Sequence, residues 1–232
     1  MSAPQLEAAA AVLGPLVDEV VFVGGATVHL WITEPGAPPA RATDDVDVIC
    51  EVATRVEYHR LGERLRERGL REAMDEPVIC RWRSADPSLV LDVMPTDPDI
   101  LGFSNPWYEE AISTAATVVL DSGAEIRPTA PAPLVATKLC AWKGRGGGDA
   151  LASLDVHDVL TLIDGRPVIG LVEPVEDPQR GPQVRGRPVD DDAVGAVGLY
   201  DDLVPRAQTG RLETLDRQGH LVLGEDAWHA FL

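Results

Sequence analysis

The stretch FVGGATVHLWITEPGAPPARATDDVDVICE, Phe22 to Glu51, decides the fold. It opens on the end of an apolar, β-branched run, Glu19 to Val23, of the kind that forms a buried strand. Gly24-Gly25 then turns the chain into a predicted helix from about Ala26 to Ile32, and the Pro- and Gly-dense TEPGAPPAR is a loop. A second strand follows over Val46 to Glu51, with Asp44, Asp45 and Asp47 crowded at its mouth. Like charges this close repel, and burying even one is costly, so a cation is expected beside them.

Side chains alternate along a strand, so Asp45 and Asp47 project to one face while Val46 and Val48 pack on the other. Two converging carboxylates suit Mg²⁺ or Mn²⁺, ions that keep several waters and take the rest of their shell from substrate phosphates. A third acid, Asp92, interrupts the apolar SLVLDVMP strand. If that strand lies beside the second one, Asp92 completes a set of three carboxylates, Asp45, Asp47 and Asp92, able to hold two ions. The alternatives are a solvated strand end for Asp45 and Asp47, and a salt bridge to an arginine such as Arg81 or Arg83 for Asp92. Gly24 and Gly25, at a strand-to-helix junction, are the candidate place for backbone N–H groups to meet a phosphate.

Around this segment the pattern gives a helix from Gln5 to Val17, a charged amphipathic helix from Thr54 to Arg68 ending at Gly69, and strand character in VICRWRS, ATVVL and AEIRP. Asp97-Pro98-Asp99 reads as a turn. From Pro131 the character changes to helix: Pro131 to Trp142, a glycine break at Gly144 to Gly148, then Ala150 to Ile163. Lys138 and Arg145, seven residues apart, differ by only about 20° around an ideal helix and share a face. In the next helix Val156, Val159, Leu160 and Ile163 make the apolar stripe, which leaves Asp155 and Asp158 together on the flank. Beyond Arg166 the chain is Pro/Gly-rich and acidic near 173–192, with helices expected near Asp191 to Ala207 and Asp226 to Leu232.

Composition narrows the partners. The chain has 232 residues and a formal charge of −18, so it repels nucleic acid and anionic membrane at long range. A phosphate-bearing partner must then be captured by a local basic patch or through metal ions. Five arginines between Thr54 and Gly69 form such a patch, but interleaved glutamates favour a salt-bridged solvent face. Trp82, between two arginines, is the tryptophan placed best for base stacking, and His157 reads as surface. The only lysines are Lys138 and Lys143, which singles out Lys138 as a compact ammonium for phosphate. Three scattered cysteines flanked by apolar residues read as free thiols, no leader or membrane span is recognisable, and a cytoplasmic protein is expected.

The order strand, Gly-Gly, helix, Arg41-x-Thr43-x-Asp45-Val46-Asp47 resembles the nucleotidyltransferase superfamily, and in detail its AbiEii-like, toxin-type branch. KLCAWKGRGGGDALASLDVHDV is similar to that branch's K-x-x-A-x-x-x-R and D-x-x-D helices through Lys138, Ala141, Arg145, Asp155 and Asp158. The resemblance covers roughly residues 20 to 165. It implies an α/β (α+β) fold, a mixed sheet with flanking helices, while the tail beyond Arg166 matches nothing in the family. The expected division is a nucleotidyltransferase core over 1–128 and a helical C-terminal region over 129–232 that completes the nucleotide site. The resemblance also implies Mg²⁺ (or Mn²⁺) on Asp45 and Asp47, and an active role for Lys138 with Asp155 or Asp158. Nucleotide contacts would come from Gly24, Gly25, Thr27, Arg41, Thr43 and Arg145. The implied activity moves a nucleoside monophosphate from an NTP to an acceptor hydroxyl, with RNA as a candidate acceptor and an antitoxin protein as a candidate partner. A glycosyltransferase D-x-D or an aspartyl-nucleophile phosphatase carries its acids at the exit of an apolar strand, whereas here they precede it. The remaining alternative is an inert nucleotide- or partner-binding member of the same fold.

Overall fold

The computed structural model describes residues 4–52, 54–85, 89–145 and 149–166, and the strand backbone of 212–215 and 221–224. The chain divides into two units, Met1–Arg166 and Pro167–Leu232. The helices between residues 131 and 165 belong to the same unit as the sheet. In the second unit the described strands, Leu212–Leu215 and Leu221–Gly224, pair antiparallel. The helices expected near 191–207 and 226–232, and the acidic segment 173–192, lie outside the described residues.

The first unit is an α/β mixed fold around a five-stranded sheet. Its strands are β1 (Val20–Val23), β2 (Val46–Cys50), β3 (Arg71–Glu72), β4 (Arg81–Arg83) and β5 (Val90–Pro95), in the order β1-β2-β5-β4-β3. β2 and β5 run parallel and the other pairs antiparallel. All four residues of β1 are buried, and its outer edge is closed by Phe22, which donates to the Arg127 carbonyl and accepts from the Thr129 amide, both at 2.9 Å. β6 (Val118–Val119) and β7 (Glu125–Ile126) pair as a separate two-stranded sheet, with Ile126 in the unit's apolar core.

The two faces of the sheet carry different chemistry because side chains alternate. Val46 and Val48 of β2 and Leu91 and Val93 of β5 face a large apolar core with α1 (Pro4–Leu13) and α2 (Arg55–Glu67). α1 delivers Leu6, Ala9, Ala10 and Leu13 at helical spacing. α2 begins where Thr54 accepts from the Glu57 amide and ends before Gly69, at φ +85°. On the opposite face Val21, Val23 and Ile49 pack on Tyr108 and Ala111 of α4 (Tyr108–Ser113), which follows the one-turn α3 (Pro98–Leu101). Asp47 and Asp92 belong to this second face.

Some expectations are refined and others corrected. The helix after the double glycine, Gly25–Trp31, is of the 3₁₀ kind: both the amide and the hydroxyl of Thr27 return to the Gly24 carbonyl three residues back. Asp97 does not merely turn the chain but caps α3, accepting from the Asp99 amide at 2.8 Å. VICRWRS contributes strand only at Arg81–Arg83. Trp82 is no stacking platform, since it is buried with Gly62 against its ring and the Arg66 guanidinium 5.4 Å from its centroid. The arginines of α2 serve the fold: Arg64 pairs with Glu19, Arg66 with Glu72, and Arg68 donates to the carbonyls of Ala11 and Val12 that end α1.

Two further helices complete the unit. α5 (Pro131–Gly144) is buried on every side from Pro131 to Leu139, so it runs through the interior. α6 (Leu154–Gly165) is capped by Ser153 and packs on α5 and on the 3₁₀ helix. Its buried face is Asp155, Val156, Asp158, Val159, Leu162 and Gly165. The two aspartates are thus inside rather than on the flank, because three cations meet them there. Cys50 and Cys80 are buried free thiols and Cys140 a half-buried one. Among the described residues no helix is long and apolar enough to cross a membrane.

Candidate active site

One row of the sheet organises the site. At a single register, Val23 of β1 faces Asp47 of β2, Asp47 faces Asp92 of β5, and Asp92 faces Arg81 of β4. Cross-strand partners share a face, so two carboxylates and a guanidinium line up side by side, with Asp45 two residues before Asp47 on the same side. The expectation that Asp92 lies beside the D-x-D strand is met.

The cation beside them, however, is a side chain. Arg81 donates from Nε to Asp92 Oδ1 at 2.8 Å and from Nη2 to Asp92 Oδ2 at 2.7 Å. The same Nη2 donates to Asp45 Oδ2 at 2.8 Å, and Nη1 to Glu76 Oε2 at 3.3 Å. Glu76 also accepts from Arg83. The bidentate pair raises the Arg81 pKa well beyond its usual value. Among the described residues no group of three or more His, Cys, Asp or Glu side chains is arranged to hold a metal ion, and it is a guanidinium that stands between Asp45 and Asp92. Asp92 acting as the base for an attacking hydroxyl is set aside for the same reason, since both its oxygens accept from Arg81 and its side chain is 8% exposed.

Asp47 is the exception. It has no hydrogen-bond or ion-pair partner among the described residues, and its pKa is pushed up to about 7, first by desolvation and then by the charges of Asp45, Asp92 and Asp155, with Lys138 opposing. Its carboxylate lies against Gly24, which sits at φ +73° and where any Cβ would collide with Asp47 Oδ2. Gly25 is as tightly placed: a Cβ there would lie 2.7 Å from Thr43 Cγ2, 2.8 Å from Arg41 Nη2 and 3.1 Å from Asp158 Oδ2. The room left by the missing Cβ atoms is filled by these side chains, so the double glycine lets two ion clusters approach each other. The buried hydroxyl of Thr27 is spent on the Gly24 carbonyl and shapes the turn. Thr43 is buried against Gly25, with its carbonyl accepting from Gln5.

The second cluster lies between α5 and α6. Lys138 Nζ is 3.3 Å from Asp155 Oδ1 and 2.8 Å from Asp158 Oδ2, with its side chain 9% exposed. Arg41 forks onto Asp158 through Nε at 2.8 Å and Nη2 at 3.0 Å. Arg145 reaches Asp155 from a side chain that is 71% exposed. Lys138 and Arg145 do share a face, as their spacing predicts, and they meet on one carboxylate. Asp155 and Asp158 both hold Lys138, but their second partners differ: Asp158 faces Arg41 and Asp155 faces Arg145.

The two ends differ in sign. Arg41, Lys138 and Arg145 outnumber Asp155 and Asp158, whereas Asp45, Asp47, Asp92 and Glu76 outnumber Arg81 and Arg83. A cleft of about 470 Å³ opens at the acidic end, lined by Gln5, Thr43, Asp44, Asp45, Arg81, Arg83 and Val90. Sequence reasoning weighed Arg81 only as an alternative partner for Asp92 and overlooked Glu76. No protein-family model matches this chain, and no curated protein matches it.

Proposed function

We propose that the chain is a metal-dependent nucleotidyltransferase of the AbiEii-like kind, which moves a nucleoside monophosphate from an NTP to an acceptor hydroxyl. The observation that carries this reading is the two-signed site: an acidic end with an unpartnered carboxylate, Asp47, beside a cationic end, with Gly24-Gly25 holding them together. A metal–triphosphate has the complementary polarity. A divalent ion fits the D-x-D pair, since Asp47 is free and Asp45 keeps Oδ1 free, while Asp92 is committed to Arg81. When bound, the ion neutralises the phosphate oxygens and the pyrophosphate that leaves.

The protein's own groups do the positioning. Arg145, largely exposed, and Arg41, partly exposed, face the triphosphate with donors to spare beyond their carboxylate pairs. On this reading Lys138, its side chain 9% exposed, acts from behind the phosphate contacts. It locks α5 to α6 and sets the positive field felt by Asp47. The acceptor oxygen attacks the α-phosphorus, the bond to the β-phosphate bridging oxygen breaks, and the hydroxyl proton passes to water of the cleft.

The test is incubation with each α-³²P-labelled NTP, Mg²⁺ or Mn²⁺, and total RNA or protein. Label should appear on a macromolecule with at least one NTP and vanish in Asp47→Ala. No label from any NTP on any acceptor would overturn the proposal. RNA as acceptor and an antitoxin as partner rest on the resemblance alone, and the identity of the labelled species decides the first. The inert-module reading has one observation in its favour, the engagement of Asp45 and Asp92 by Arg81. It requires nucleotide binding without label transfer.

A further inference from the structure

Arg81 does more than balance charge. Its guanidinium is the third member of the cross-sheet row Asp47, Asp92, Arg81, and its donors reach three carboxylates. A guanidinium stays charged at every accessible pH and holds a carboxylate in a fixed fork, so it is neither titrated away nor easily displaced by a hydrated ion. A divalent ion on Asp92 would have to break a buried bidentate pair and leave Arg81 beside a new positive charge. An ion on Asp47 meets no such competition, because that carboxylate has no hydrogen-bond or ion-pair partner among the described residues.

We propose, on the nucleotidyltransferase reading above, that Arg81 replaces a second divalent ion. The site takes one ion, held by Asp47 and Asp45 Oδ1 and delivered with the nucleotide, and Asp92 acts through Arg81 as a positioning residue, not as a ligand. Arg81 also fixes Asp45 through Oδ2, so the D-x-D pair is preorganised before nucleotide arrives.

Counting Mn²⁺ per chain tests this. Equilibrium dialysis with electron paramagnetic resonance, at saturating α,β-methylene NTPs, should give one Mn²⁺ per nucleotide-loaded wild-type chain. Asp92→Asn should leave the count at one and the affinity within about threefold. Arg81→Ala frees Asp92 and should add a second Mn²⁺, which Arg81→Ala/Asp92→Asn removes again. Two Mn²⁺ on the wild type, falling to one in Asp92→Asn, would overturn the inference. If Arg81→Ala does not fold, the wild type and Asp92→Asn decide between these outcomes by themselves. Two ions on a chain that still transfers label would sink this inference alone, whereas a loaded chain that retains no Mn²⁺, or transfers no label, would sink the reading beneath it.

Discussion

Asp47→Asn should make the protein more stable at pH 8 and, on the proposed function, inactive. The sign follows from the carboxyl's pKa, raised from its ordinary 3.8 to about 7 in the fold. The folded state therefore binds more protons than the unfolded state between these values, and stability falls as pH rises through that window. Below about pH 4 both states are protonated and Asp47 costs nothing. Above about pH 7 the full cost applies, at most about 4 kcal/mol and nearer 2 to 3 because the side chain keeps some exposure. Asparagine has the shape without the charge, so Asp47→Asn should gain roughly 5 to 10 °C in Tm at pH 8. The gain should shrink toward zero at pH 4. Paired calorimetric scans across this range check it, and a variant less stable than wild type at pH 8 would refute the account of Asp47. A carboxylate that weakens its own fold beside two ion clusters is the pattern expected of a site kept for chemistry.

Lys138→Met should have the opposite effect. Methionine matches the length of the lysine stem, so the packing of α5 is kept while the ammonium disappears. Asp155 and Asp158 lose the cation they share, and Asp158, with a side chain only 1% exposed, is left with Arg41 alone. Breaking a buried ion pair from one side costs about 3 to 5 kcal/mol, a drop in Tm of roughly 6 to 20 °C. Adding Asp155→Asn removes one of the stranded charges and should recover part of the loss, whereas two independent residues would simply add. A Tm within 2 °C of wild type for Lys138→Met, with the estimate taken from ordinary surface substitutions, would show that the α5–α6 ion network does not hold the unit together.

Much of the sheet is legible because alternation is a local property. Val46, Asp47, Val48 and Ile49 sort themselves onto two faces by position alone, and an isolated acid in SLVLDVMP marks the neighbouring strand. What escapes the sequence depends on register and on distance along the chain. Whether Arg81 or an ion meets Asp92 turns on β4 lying antiparallel at the register that sets Arg81 opposite Asp92. Arg41 and Asp158 stand 117 positions apart, and nothing local pairs them. The stripe of α6 misleads because aspartates are assumed to face water, whereas Asp155 and Asp158 lie on the buried face, with Lys138 between them and Arg41 and Arg145 outside. The short helix α4 has too few residues for its two buried side chains, Tyr108 and Ala111, to show a period.

The most direct measurement is a crystal of the wild-type chain soaked with Mn²⁺ and an α,β-methylene NTP, read by anomalous scattering. A single manganese peak on the carboxylates of Asp45 and Asp47, with the triphosphate running toward Arg41 and Arg145, is the expected result. Manganese bound elsewhere, or a nucleotide seated away from both ion clusters, would contradict the account.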